Sequence, residues 1–129
     1  MPTRSFLAGV RTSASSLELI NERTSRAIAS SVEIAATSET RNRGLLGRDH
    51  LDPSAALIIA PCSAIHMFFM RFAIDAVFVD KRGRVLKIVH DLRPWRIAIS
   101  LRAHAVVEMK SGNARASDIA VGDVLSLRA

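Results

Sequence analysis

The 129-residue sequence has one cysteine, no tyrosine and one tryptophan. A lone Cys62 excludes an intrachain disulfide and suits a reducing compartment, so a cytoplasmic setting is expected. No apolar run approaches the roughly 18–20 residues that span a bilayer, and no membrane partner is expected. The apolar stretch 6–10 is cut short by Arg11, below the roughly 7–15 residues of a signal-peptide core. Residues 1–16 contain no acid and much Ser, Thr and Arg. They are expected to form a disordered or frayed tail ahead of a single domain over 17–129.

Known catalytic signatures are missing as well. Gly44-Leu45-Leu46-Gly47 lacks the Lys-Ser/Thr of a phosphate loop. No triad motif, zinc-protease helix or dinucleotide fingerprint occurs. Structural zinc wants four N/S ligands, usually in two close pairs, and Cys62 with His66 makes only one. A Cys–His dyad would also need a third, orienting group. The reading therefore includes no metal, no cofactor and no assigned catalytic residue, and leans away from an enzyme.

Apolar residues make up 49% and charged residues 23% of the chain, the balance of a globular domain. The net charge of +6 is concentrated. Over residues 81–102, Lys81, Arg82, Arg84, Lys87, Arg93, Arg96 and Arg102 face a single acid, Asp91. Such a field favours an anionic small molecule or an acidic protein, and more weakly nucleic acid. A merely solvated face would look the same.

Pattern and punctuation point to a mainly β chain, a small sandwich or half-open barrel with two short helices and about seven strands. Strands are predicted from residue 17 to 20 and from 27 to 34 around the polar turn 21–25. Thr37 or Ser38 caps a helix reaching Leu45-Leu46, with Gly47 as its stop. A strand over 56–59 ends at Pro61. The apolar stretch 66–79 has no helical period. The turn Asp80-Lys81-Arg82-Gly83 and the β-branched run 85–89 make its second half the first arm of a hairpin. Further strands are predicted over 105–109 and 124–127, with a helical turn within 112–118.

Asp75 stands among Phe72, Ile74, Val77 and Phe78, so its carboxylate has to be paired or hydrogen-bonded if buried. On an uninterrupted strand Arg71 would share its face. The expected role is a clasp to Arg71 or to backbone N–H groups at a strand break; a general base or ligand anchor is the alternative. Arg93, Trp95 and Arg96 could stack on and clasp a flat anion.

Taken in order, several stretches resemble the domain of unknown function 192 (DUF192) family. They are Asn21-Glu22-Arg23-Thr24, Arg41-Asn42-Arg43-Gly44-Leu45-Leu46-Gly47-Arg48, residues 66–75 from His66 through Asp75, Asp80-Lys81-Arg82-Gly83, Pro94-Trp95-Arg96, and Ile119 through Gly122-Asp123. The resemblance covers residues 17–128 and implies a compact β fold with no established activity. Arg43, Met70, Arg71, Asp75 and Glu108 match positions that recur in the family's pattern. Ala73, where the family usually has Pro, and Glu108-Met109-Lys110-Ser111-Gly112, where it usually reads Glu-Leu-Pro-Ala-Gly, depart from it at two turns.

The expected function is a binding or accessory module for an anionic small ligand or an acidic protein segment. Its candidate ligand-binding residues are Arg43, His66, Met70, Arg71, Asp75, Trp95, Arg96 and Glu108. The alternatives are an enzyme of the hydrolase kind using Asp75 or His66 as acid or base, and weak nucleic-acid binding through residues 81–102.

Overall fold

The computed structural model describes residues 5–7 and 17–129. In chain order its elements are β1 (Glu18–Asn21), β2 (Arg26–Ala29), β3 (Ser31–Ala35), α1 (Ser38–Arg43), β4 (Ala55–Ile59), β5 (Ala64–His66), β6 (Ile74–Val79), β7 (Val85–Leu92), β8 (Ile97–Ile99), β9 (Ala105–Lys110), α2 (Asn113–Ala116) and β10 (Leu125–Arg128). The mainly β prediction holds, with ten short strands among the described residues rather than seven. None of the sheets closes into a barrel.

A five-stranded sheet ordered β3-β4-β9-β6-β7 organises the molecule. Its strands β4, β6 and β9 are almost wholly buried, so their side chains supply two cores, one on each face. Ile58, Val77, Val79, Val107 and Met109 point to one face, where Leu19, Ile28 and Leu125 of the three-stranded sheet β10-β1-β2 close over them. That half is a sandwich. Leu57, Ile59, Ala76, Phe78 and Val106 point to the other face. There they meet Leu45 and Leu51 from the β3–β4 connection, and Ile65, Met67 and Ala98 around the two-stranded ribbon β5–β8.

The pair β3–β4 is parallel and every other pair is antiparallel. A parallel neighbour cannot be reached by a tight turn. The connection 36–54 therefore crosses the second face and carries α1 with it. Thr37 caps α1 in a reciprocal box with Thr40, which satisfies orphan N–H groups of the first turn. The helix ends at Arg43, earlier than predicted, because Gly44 takes a positive φ of 46° and terminates it. The predicted strand over 27–34 is two strands. At Ser30 the chain breaks, and the N–H groups of Ser30 and Ser31 both donate to Ser54 O.

The expectation of a frayed tail fails for residues 5–7. Phe6 is buried in the sandwich core, and its N–H donates to Lys81 O at 2.7 Å. Its ring lies against Gly83, where an added Cβ would meet Phe6 at 2.9 Å and Leu125 O at 2.2 Å. One aromatic anchor suffices where no apolar period was visible. The rest of the tail lies outside the described residues.

Candidate functional site

Asp75 and Glu108 are the two acids set in the most apolar strands, and the pleat separates them. Across the β6–β9 register Asp75 opposes Met109 and Glu108 opposes Ala76. Neighbours along a strand face opposite ways. Asp75 therefore projects to the face covered by the three-stranded sheet, and Glu108 to the face covered by the β3–β4 connection.

Asp75 is fully buried, and its bonds are those of a structural clasp. The β6–β7 register shifts between Ile74 and Ala76, which pair with Leu92 and Val89. The extra residue bulges β7 and leaves a ladder donor unpaired. Asp91, in the left-handed region at φ 51°, turns that N–H inward to Asp75 Oδ1 at 2.9 Å. Oδ2 accepts from Gly112 N–H at 3.0 Å and Ala114 N–H at 2.9 Å, tying the start of α2 to the sheet. The backbone version of the expected clasp is the one found. Arg71 does not share the strand, which begins at Ile74; it is exposed and pairs with Asp49.

Glu108 is 5% exposed, and among the described residues no hydrogen bond reaches its carboxylate. Burial pushes its carboxyl up to about 7, with the charge of Arg48 pulling the other way. It lines a cavity of about 600 Å³ whose wall includes Arg41 and Arg43 of α1, Cys62, His66 of β5 and Met70. Arg41 is fixed at the edge by bonds from Nη1 to Pro61 O and Nη2 to Ser38 Oγ, while its buried Nε has no partner among the described residues. His66 Nδ1 accepts Phe68 N–H at 3.3 Å, which leaves Nε2 as the ring's other polar atom. Cys62 Sγ donates to Ala64 O, and burial raises the thiol, so it stays protonated and a poor nucleophile.

The cavity thus gathers Arg43, His66, Met70 and Glu108 from the predicted set and leaves out Asp75, Arg71, Trp95 and Arg96. Sequence reasoning missed Arg41 and gave Cys62 no place beside a cavity. Trp95 lies nearby, joined to the cavity edge by rings: His66 stacks on Phe68 at 4.6 Å, and Phe68 on Trp95 at 5.9 Å. A general base at Asp75 is not supported, because both oxygens are taken and the residue faces away from the cavity. Among the described residues no group of three His, Cys, Asp or Glu could hold a metal, and no helix is long and apolar enough to cross a membrane.

A second polar cluster is structural. Asp123 accepts from Asn21 Nδ2, Arg23 Nε and Ala120 N–H. The Arg23 guanidinium, with these bonds, holds its carboxyl down at about 2. This joins the β1–β2 turn to the approach of β10.

Comparison with known proteins gives a consistent fold. The model of the DUF192 family, described as an uncharacterized ACR, matches residues 19–127. A UPF0127 protein of Thermococcus gammatolerans is 33% identical over 114 residues, covering 84% of this chain and 73% of the relative. One from Pyrococcus abyssi is 36% identical over 112 residues, covering 81% and 92%. A Sinorhizobium meliloti crystal structure, described as a "putative transcription regulator", superposes with a TM-score of 0.74 at 21% identity, covering 86% of this chain and 91% of that one. A protein of unknown function from Novosphingobium aromaticivorans superposes with a TM-score of 0.73 at 20% identity, covering 98% and 99%.

Proposed function

This chain belongs to the DUF192 family, and we propose that it is a binding module that takes a small anion into the cavity between α1, β5 and β9. The observation that carries the reading is Glu108: a buried carboxyl without a partner among the described residues, lining a cavity of about 600 Å³. The carboxyl opens on the cavity, so its hydrogen-bond partner has to come from what the cavity holds. A ligand oxygen supplies one.

A carboxyl held near 7 is about half protonated at neutrality and increasingly so below it, and in that form it donates a hydrogen bond. The guanidinium groups of Arg41 and Arg43 add charge-assisted donors at the edge. An anion inside favours the protonated carboxyl. Its affinity is therefore full below pH 7 and is lost as pH rises through it.

Calorimetric titration with acetate, phosphate and small hydroxy acids on either side of neutrality tests this. Tighter binding on the acid side is expected, with the pH dependence removed in Glu108→Gln and affinity lowered about tenfold in Arg43→Ala. Affinity that rises with pH would point to a cationic ligand and defeat the reading. A carboxyl near neutrality also meets the requirement for a general acid or base. That moves the enzymatic alternative from Asp75 to Glu108, with His66 as its neighbour on the cavity wall.

A further inference from the structure

The geometry points to the β8 side of the molecule as a docking surface for an anionic lipid bilayer, separate from the Glu108 cavity. Trp95, Ile97, Ile99 and Leu101 occupy alternate positions along one stretch of chain, and Phe69 joins them with its ring 4.8 Å from that of Trp95. All five are exposed, Phe69 by 74% and Leu101 by 86%. Ile97 and Ile99 stand on β8, roughly 7 Å apart at the strand rise, with Trp95 in the turn before the strand and Leu101 in the turn after it. Contiguous exposed apolar surface of this kind marks a partner or a membrane.

Backbone conformation holds the two aromatic rings outward. Phe69 and Trp95 have φ of 63° and 71°, in the left-handed region that bulky residues rarely enter. The ladder fixes this arrangement, since Trp95 N–H donates to Met67 O and Met67 N–H to Arg96 O. Ala98, between Ile97 and Ile99, is buried, so the ribbon keeps the two isoleucines on its outer side.

Charge and shape select the occupant. Arg93, Arg96 and Arg102 flank the strip and are exposed. Among the described residues only Arg93 has an acidic partner, the half-exposed Asp91 at 3.4 Å. A second copy would bring these cations against themselves. Three of the five apolar side chains are aliphatic, which lipid chains accommodate and a sugar-phosphate backbone does not. Side chains standing this far out need a deformable partner or a surface already pitted to receive them. Trp and Phe at the headgroup level, with Arg reaching anionic headgroups, is the chemistry of interfacial binding. The expectation of no membrane partner rested on spanning, which a patch assembled from separate segments does not require.

The chain's single tryptophan is in the patch and reports on it directly. The full chain is mixed at low salt with vesicles of phosphatidylcholine alone and with phosphatidylglycerol added, and Trp95 emission and co-sedimentation are read. A blue shift and sedimentation on the anionic vesicles are expected, with partitioning about tenfold weaker on phosphatidylcholine alone. Leu101→Ser and Ile97→Ser should each weaken partitioning about fivefold or more while leaving the melting temperature unchanged, since both side chains are exposed. Absence of sedimentation at low salt overturns the proposal. So does sedimentation that the two variants do not change, which would be charge alone. A Trp95 shift with polyglutamate or oligothymidine but not with vesicles would assign the patch to an acidic protein or a nucleic acid instead, and equally overturns it.

Discussion

Replacing Asp75 with Asn tests whether the buried clasp is structural, and its cost can be worked from three hydrogen bonds. Asp91 N–H reaches one oxygen, and Gly112 and Ala114 N–H reach the other. Asn offers one oxygen and one NH₂. The less costly orientation puts the amide oxygen toward Gly112 and Ala114 and sets the NH₂ against Asp91 N–H, a donor facing a donor. An orphaned buried donor costs about 1–3 kcal/mol, and the two surviving bonds fall from the charged to the neutral range, losing roughly 1 kcal/mol each. The sum is about 3–5 kcal/mol, a large part of the ~5–15 kcal/mol that holds such a domain together. For a chain of this length that lowers the melting midpoint by roughly 10–20 °C. Urea and thermal unfolding at neutral pH measure it directly. A midpoint within about 1 kcal/mol of the parent would refute the clasp and return Asp75 to the list of functional acids.

Glu108 gives the opposite sign. Its raised carboxyl contributes stability fully present below about 4.5 and lost as pH rises through about 7; Glu108→Gln should therefore be more stable than the parent near pH 8 by roughly 1–3 kcal/mol, the gain vanishing in acid. Denaturant midpoints across that range check it. Gly83→Ala should cost roughly 2–4 kcal/mol, because the new methyl meets Leu125 O at 2.2 Å at a φ of 86°, whereas Gly112→Ala, with open space around it, should cost only the roughly 1–2 kcal/mol of a left-handed backbone. Phe6→Ala should cost about 2–4 kcal/mol in a thermal melt, and an unchanged melt would show that the N-terminal anchor is dispensable.

Local chemistry made part of the fold legible. The hairpin of β6 and β7 followed from the turn Asp80-Lys81-Arg82-Gly83 and the β-branched run after it. The burial of Asp75 followed from an acid inside an apolar strand. The same signal stands at Glu108, between Val107 and Met109, yet its place in the candidate set came only through the family pattern. What stayed hidden depended on distant partners. Arg71 is one of the two partners expected for Asp75 because a continued strand would align them, but the chain turns through Phe69 at positive φ and Arg71 finds Asp49, 22 residues earlier. Asn21, Arg23 and Asp123 were visible as separate matching stretches, and only folding brings them to one carboxylate. The pleat that parts Asp75 from Glu108 was readable from their odd and even positions, but only once the two strands were paired.

The single parallel pair has a consequence for variation among relatives. Had β3 and β4 run antiparallel, a tight turn would have joined them and nothing in that connection would roof Glu108. Because they run the same way, residues 36–54 must travel back along the sheet before β4 can start, and that return path supplies the roof. Lengthening or trimming it would resize the chamber without disturbing any strand-to-strand bond beneath. A relative whose chamber differs in size is thus expected to differ first in this return path, on an unaltered floor of β4 and β9.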